Sequence, residues 1–531
     1  LEENTTADGN TAFGYDALTS NTTGANNVAL GDRALDANTT GENNTAIGQH
    51  ALGAVSTSSY NVAVGQGALY NNTAANNTAV GNHGLLSCTT GENNVAVGAY
   101  ALDASTTAPR NVAIGAYAMS SSTTGEQNVA VGQATMQNLT TGHNNTIVGQ
   151  TAGYNLTTGA EHVAIGRAAM YTVSTALNNV AIGYEALYTG NVGNTVAIGF
   201  KALKYNSSTG YNNTAVGYLA LTTNTTGSQN NAFGRQTLED NTTGSNNCAF
   251  GYLSLKYNTT GNSNTGLGHN ALYANTTADD NTAIGFDAME DNTTGHSNVA
   301  IGKDALTNCT TGSSNVAIGK DAMDTCTTGY DNVCVGQDAG ETISTGYNNV
   351  IMGYVAGDTL STGYNGLYLG KNADASASDA AYEQTIGSDL TGKGNSTTFI
   401  RGICYQGNNS STWSTTSDIR IKKNIIDNTT GLDKINQIRV RNFEYRTPDE
   451  IDYTEFVEGT NPKSIPINEK GVQIGVIAQE IQEILPDIVE TESTGVKRVN
   501  PDNLTWYLVN AVKELSAENT ALKSRLDAAG L

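Results

Sequence analysis

From residue 10 to residue 387 apolar and polar positions recur in one short cycle, roughly Asn-Asn-(Thr/Val)-Ala-(Ile/Val)-Gly-x-x-Ala-Leu-x-x-Asn-Thr-Thr-Gly-x. The central glycine occurs 23 times between Gly14 and Gly387; 19 of the 22 intervals are 17 residues and the others are 16, 16 and 18. A fixed period of this size marks a solenoid, in which each turn buries its apolar side against its neighbours. In a cycle such as Asn111-Val112-Ala113-Ile114-Gly115, alternation predicts a strand with Val112 and Ile114 on one face and Ala113 and Gly115 on the other. The β-branched pair is expected to fill the inside of the coil, and the small pair to form a face on which another wall of protein packs. A second apolar pair, such as Ala101-Leu102, follows three and four residues after the glycine. Asn-Thr-Thr-Gly predicts a corner, because Asn and Gly tolerate positive φ.

Seventeen residues are too few for a helix plus strands, so each turn is expected to be a compact β-coil of two or three short strands. Stacking then places Asn on Asn and Thr on Thr, and ladders of these side chains satisfy one another. At about 4.8 Å per turn, the repeats would make a rod on the order of 110 Å long. So small a loop encloses little core. Three coils packed through the Ala/Gly face would bury more, and a homotrimer is the expected assembly. The repeat resembles the head repeats of trimeric autotransporter adhesins, which carry a similar Val-Ala-Ile-Gly core in a shorter unit. Those adhesins end in a membrane β-barrel anchor; none is expected here, which argues against a bacterial surface adhesin.

The pattern changes near residue 390. Only 10 of the 26 Lys and Arg lie in 1–389 and 16 lie in 390–531, together with five of the six prolines. The reading is mainly β: a repetitive 17-residue β-solenoid or β-roll shaft over 1–389, a cap or connector over 390–416, and a small α/β domain over 417–531. Within the last, Val440–Tyr445 and Gln473–Ile477 read as strands, and Ala478–Leu485 as a short helix stopped by Pro486. Asp502 or Asn503 is the expected cap of a final helix. There Leu508, Val512, Leu515, Asn519, Leu522 and Leu526 recur every three or four residues, predicting a coiled coil over about 504–528 with register set by Asn519.

Ser417-Asp418-x-Arg420-x-Lys422, followed by Gly475-Val-Ile-Ala-Gln479-Glu and the terminal heptads, closely resembles the C-terminal intramolecular chaperone domain of phage endosialidases and tail spikes. The resemblance implies a trimeric domain that helps a fibre fold and then cuts itself off between Thr416 and Ser417. It implies Ser417 as nucleophile and Lys422 as its basic partner, a single-turnover serine-type endopeptidase, with Asp418, Arg420, Gly475 and Gln479 as supporting motif positions. The mature shaft would not be an enzyme. The residues agree in part. No histidine occurs in 388–531, which excludes Ser-His-Asp inside this domain. A Ser–Lys pair requires a neutral Lys422, which burial and the nearby Arg420 would favour. A separation of five puts Ser417 and Lys422 on opposite faces of a strand, so either a turn brings them together or Lys422 serves a neighbouring chain. Taken alone, the motif would equally suit an exposed, charged strand start.

A physical reason for such a helper lies in the repeat. Sliding one chain past its neighbours by one period would keep most contacts, so register is weakly specified by the shaft. A distinct trimeric end can set it, and removing that end afterwards traps the product kinetically.

The remaining features narrow the partners. With a net charge of −23, binding to nucleic acid by phosphate neutralisation is not expected. No run of 18 apolar residues suggests membrane insertion. Six scattered histidines and six cysteines (88, 248, 309, 326, 334, 404) show no metal spacing, and no cofactor is expected. Cys309 and Cys326 share a repeat position; two thiols are the preferred reading, a disulfide the other. Several tyrosines follow the central glycine (Tyr15, Tyr184, Tyr218, Tyr252, Tyr354) and either bind polysaccharide or protein or cover the coil's exterior. The expectation is a phage tail fibre, assembled in the host cytoplasm and carried on the virion tail. It would attach to a host cell-surface receptor, polysaccharide or protein, and join other tail proteins through an upstream segment, since the chain starts inside a repeat. A bacterial extracellular adhesin or appendage with the same maturation domain is the alternative.

Overall fold

A computed structural model describes residues 3–400, 425–428, 430–452, 454, 471–491, 495–499 and 501–530. The chain is mainly β, a β-solenoid with one turn per 17-residue repeat. By compactness it divides into two units, Leu1–Ser314 and Asn315–Leu531.

In the first unit, strands β1 (Thr11–Phe13) to β18 (Val299–Ile301) each contribute three residues and form a parallel ladder in strict register. There is one strand per turn, not two or three; the rest is bends and tight turns, with isolated parallel bridges such as Ala160 to Leu177 in a few turns. A coil this small has no room for longer straight runs, and it closes through left-handed residues. Tyr100, Leu102 and Arg110, with φ of 57, 51 and 60°, are the three of one turn. Each such non-glycine residue costs roughly 1 kcal/mol or more, held by the stacked turns on either side.

The alternation is present, but the faces are reversed. Ala113 is fully buried inside the coil, whereas Val112 is half-buried and Ile114 is 39% exposed on the outside. The interior is already filled by Ala101 and Leu102, both at 0% exposure, and by the buried asparagines. Only a methyl-sized side chain fits opposite them. Exceptions show the same volume rule. Where the inner strand residue is Ile147 or Ile351, the leucine position becomes Gly153 or Gly357, whose added Cβ would lie 2.9 and 2.7 Å from the isoleucine Cδ1. Total volume is conserved and the core stays close-packed.

Polar ladders run beside this core as expected. Asn111 Oδ1 accepts from Asn128 N at 2.9 Å while its Nδ2 donates to Gly125 O at 2.8 Å, one turn on, and Asn111 N donates to Asn94 Oδ1 at 2.9 Å. Threonines form a second ladder, Thr106 Oγ1 to Thr123 O at 3.2 Å. His162 stands in for asparagine in its turn: Nδ1 accepts from Asn179 N at 3.2 Å, and Nε2 lies 2.9 Å from Ala176 O. The corner glycine is needed for a different reason than expected. Gly125 has no positive φ; a Cβ there would sit 2.4 Å from Gly142 O of the next turn. The central glycine needs both freedoms, as at Gly115, with φ +135° and 2.3 Å to Gly132 O.

In the second unit a parallel ladder of the same kind runs through β19 (Val316–Ile318), β20 (Val333–Val335), β21 (Val350–Met352) and β22 (Leu367–Leu369). It then runs to β24 (Gln384–Ile386) and β26 (Thr398–Ile400), while β23 (Ala373–Asp374) pairs with β25 (Leu390–Thr391). Solenoid pairing thus extends to Ile400. Its last turns have an aperiodic interior: Tyr368 is fully buried in the alanine position, and Glu383 takes the asparagine position, accepting from Ser376 N and Gly394 N at 2.9 and 2.6 Å. Cys309 in the first unit and Cys326 in the second are buried at the corner. Each Sγ reaches the carbonyl three residues on, at 3.7 and 3.8 Å, the bond an asparagine makes in other turns. No helix among the described residues is long and apolar enough to cross a membrane.

Candidate functional site

Beyond Ile400 the second unit holds a small α/β module. It comprises α1 (Leu432–Ile435), β27 (Arg441–Phe443), β28 (Gln473–Gly475), α2 (Ala478–Ile484), β29 (Val489–Thr491), β30 (Lys497–Val499) and α3 (Pro501–Ala529). The alternating run at Val440–Tyr445 forms β27, antiparallel to β28, with Arg441 opposite Gly475. Glycine suits that position because an added Cβ would approach the Phe443 ring to 3.2 Å. The chain then passes directly into α2, which ends at Ile484 just ahead of Pro486, where the missing N–H stops it.

Ile481, Leu485, Ile488 and Tyr507 form the core, with Val476, Val489, Val499 and Leu504 packed around it. The Tyr507 hydroxyl donates to Asp487 Oδ2 at 2.6 Å, and this bond holds the phenol above its ordinary pKa. Glu514 Oε2 accepts from Leu432 N at 2.8 Å, and Asn510 Nδ2 donates to Asn428 O at 2.7 Å, tying α1 and its approach to α3. The helix α3 starts at Pro501, which places Asp502 and Asn503 inside its first turn rather than at the cap; proline is preorganised for that first position.

Of the proposed site, Gly475 and Gln479 fall on consecutive elements: Gly475 closes β28, and Gln479 lies exposed in the first turn of α2. Arg441 on β27, the partner strand of β28, clamps that strand to α2, with Nη2 2.7 Å from Glu480 Oε1 and Nε 3.3 Å from Oε2. This forked bond pulls Glu480 below the usual carboxylate range and raises Arg441. Thr416, Ser417, Asp418, Arg420 and Lys422 lie outside the described residues. Sequence reasoning passed over the Arg441–Glu480 clamp, although Glu480 directly follows Gln479 and Arg441 sits in the run read as a strand. It also passed over Asn510 and Glu514, which look like ordinary solvent positions of a helix.

The helix α3 has two stripes. Leu504, Tyr507, Ala511 and Glu514 turn toward the module. The heptad residues Leu508, Val512, Leu515, Leu522 and Leu526 are exposed, Val512 at 65%. The module therefore covers one stripe with its own residues, and among the described residues the heptad seam is left uncovered.

Fold and module together define a β-solenoid shaft followed by a compact α/β domain. Residues 417–490 match a peptidase family described as chaperone of endosialidase. The region after the repeats is thus similar to the chaperone-of-endosialidase family, and that match implies self-cleaving peptidase activity.

Proposed function

We propose that this chain is a homotrimeric fibre for host attachment, a phage tail fibre. In this reading its C-terminal domain directs trimerisation and folding and then releases itself between Thr416 and Ser417. The observation that carries the reading is the family match, whose first residue is Ser417. Two features support the trimer. The seam of α3 is exposed, and the outer face of the repeat ladder carries a column of β-branched and other apolar residues, including Ile114 and Ile165, exposed by 39 and 41%. Exposed apolar surface of that kind is an interface signature. The packing face is then the Val/Ile column rather than the Ala/Gly one.

The cleavage follows from residue order. The Ser417 hydroxyl adjoins the carbonyl of Thr416. Its oxygen attacks that carbon, the peptide C–N bond breaks, and the acyl group passes to oxygen as an ester. A neutral Lys422 takes the hydroxyl proton and returns it to the departing amide nitrogen. Water then hydrolyses the ester, leaving a Thr416 carboxylate and a free Ser417. Mass spectrometry of the expressed chain tests this: a product ending at Thr416 is expected, and Ser417→Ala abolishes it. Lys422→Arg should also abolish it, because arginine does not give up its proton. Full cleavage in Ser417→Ala would refute the assignment. The alternative, a bacterial extracellular adhesin fibre with the same domain, rests on the likeness of the repeat to adhesin heads.

A further inference from the structure

The shaft as a whole is acidic, but cations gather in one stretch of it. Arg167 to Leu238 holds four cations, Arg167, Lys201, Lys204 and Arg235, and one carboxylate, Glu185, a local balance of 4 − 1 = +3 in a chain of net −23. Glu185 is itself taken by Lys204, 2.7 Å away. All four cations lie over aromatic rings: Arg167 at 5.7 Å from the Tyr184 centroid, Lys201 at 4.9 Å from Phe200, Lys204 at 4.7 Å from Tyr205 and Arg235 at 5.6 Å from Tyr218.

Tyr184, Phe200 and Tyr218 occupy the position after the central glycine in three successive turns. Their centroids are 5.3 and 5.2 Å apart and their planes within 13 and 10°. The two arginines thus bracket a three-ring stack, about 19 Å apart over four turns, and Arg235 also lies 5.3 Å from the Tyr252 centroid in the turn beyond. Stacking consumes the ring faces, so the column offers ring edges, tyrosine hydroxyls and cations to the outside. A guanidinium lying on a ring keeps its in-plane N–H fork available for a carboxylate or sulfate. Phe200 and Tyr218 remain 39 and 46% exposed. Two of the three departures from the 17-residue period, Gly183 to Gly199 and Gly199 to Gly217, also fall here. Loops that vary on a constant scaffold are where binding residues concentrate.

A protein partner would be expected to anchor an apolar side chain in a socket. This strip is instead straight, narrow, hydroxyl-bearing and cationic at intervals. We infer that the column from Arg167 to Arg235 is the receptor-contacting surface of the fibre and takes a linear acidic polysaccharide lying along the stack. The inference rests on the host-attachment reading and narrows its receptor class.

The test uses the full chain after maturation, with polygalacturonate and heparin immobilised as probes and dextran and poly-glutamate as controls. Binding to the acidic polysaccharides is expected, absent for dextran and much weaker for poly-glutamate. Arg167→Gln with Arg235→Gln should weaken it by about tenfold or more, and added salt should weaken it further. Both side chains are on the surface, and circular dichroism of the double variant should match the parent. No binding to either acidic polysaccharide, binding indifferent to the double variant, or equal binding to poly-glutamate would each overturn the inference. Attachment to whole cells separates the two readings. Loss of all attachment by the unaltered fibre strikes the host-attachment reading, whereas unchanged cell attachment by the double variant strikes only the strip.

Discussion

In the repeat turn that contains Asn111, the inward residues Ala101, Leu102, Asn111 and Ala113 are all at 0% exposure, and each asparagine is bonded to the turns on either side. In α3, Trp506 and Val512 are 67 and 65% exposed, and only the stripe through Tyr507 and Ala511 is covered. The repeats satisfy themselves along the chain, each turn by its successor, and every junction is nearly the same as the last. The C-terminal module is the reverse: one aperiodic core, and a long apolar seam that none of the described residues covers. A uniform stack carries little information about alignment between chains, while an unfinished, unique seam carries a great deal.

The largest effect expected is therefore at the seam. Val512→Asp with Leu515→Asp should abolish trimerisation, read as monomeric or aggregated, uncleaved chain by light scattering. Trimers at the parent yield would break the contrast. Next comes the shaft's volume rule. Ile147→Ala should destabilise its turn by about 3 kcal/mol, read by hydrogen exchange. Adding Gly153→Leu should restore most of it, since leucine occupies that position elsewhere at φ near that of Leu102, 51°.

A comparable effect depends on pH. His162 must be neutral to accept from Asn179 N, and burial pushes its pKa down to about 4. The unfolded ring titrates near 6.5, so between pH 6.5 and 4 the unfolded state binds more protons. The turn loses stability as pH falls through that window, by about 3 kcal/mol at the bottom. His162→Asn should remove this slope, isolating it from carboxylate titration; an unchanged slope would contradict the assigned hydrogen bonds. The smallest effect is Tyr507→Phe, which deletes the bond to Asp487 and should cost the module about 1 kcal/mol in thermal unfolding while leaving the repeats untouched.

Much of this was legible in the sequence. The glycine period counts the turns, the Asn and Thr positions announce their ladders, and Pro486 marks the end of α2. The Arg441–Glu480 clamp was not legible, because nothing local joins residues 39 apart. The corner glycine was read for the wrong reason, because a clash with the next turn's carbonyl exists only once turns are stacked.

What the sequence by itself determined is the period, the strand within it, the composition break near residue 390 and the heptad seam, since each is a spacing along one chain. Which face of the strand points inward was decided only by the closed coil. Alternation separates Val112 and Ile114 from Ala113 without saying which side is inside. The answer depends on how much room remains once Leu102 and the asparagine ladder occupy a 17-residue ring, and that room admits a methyl group.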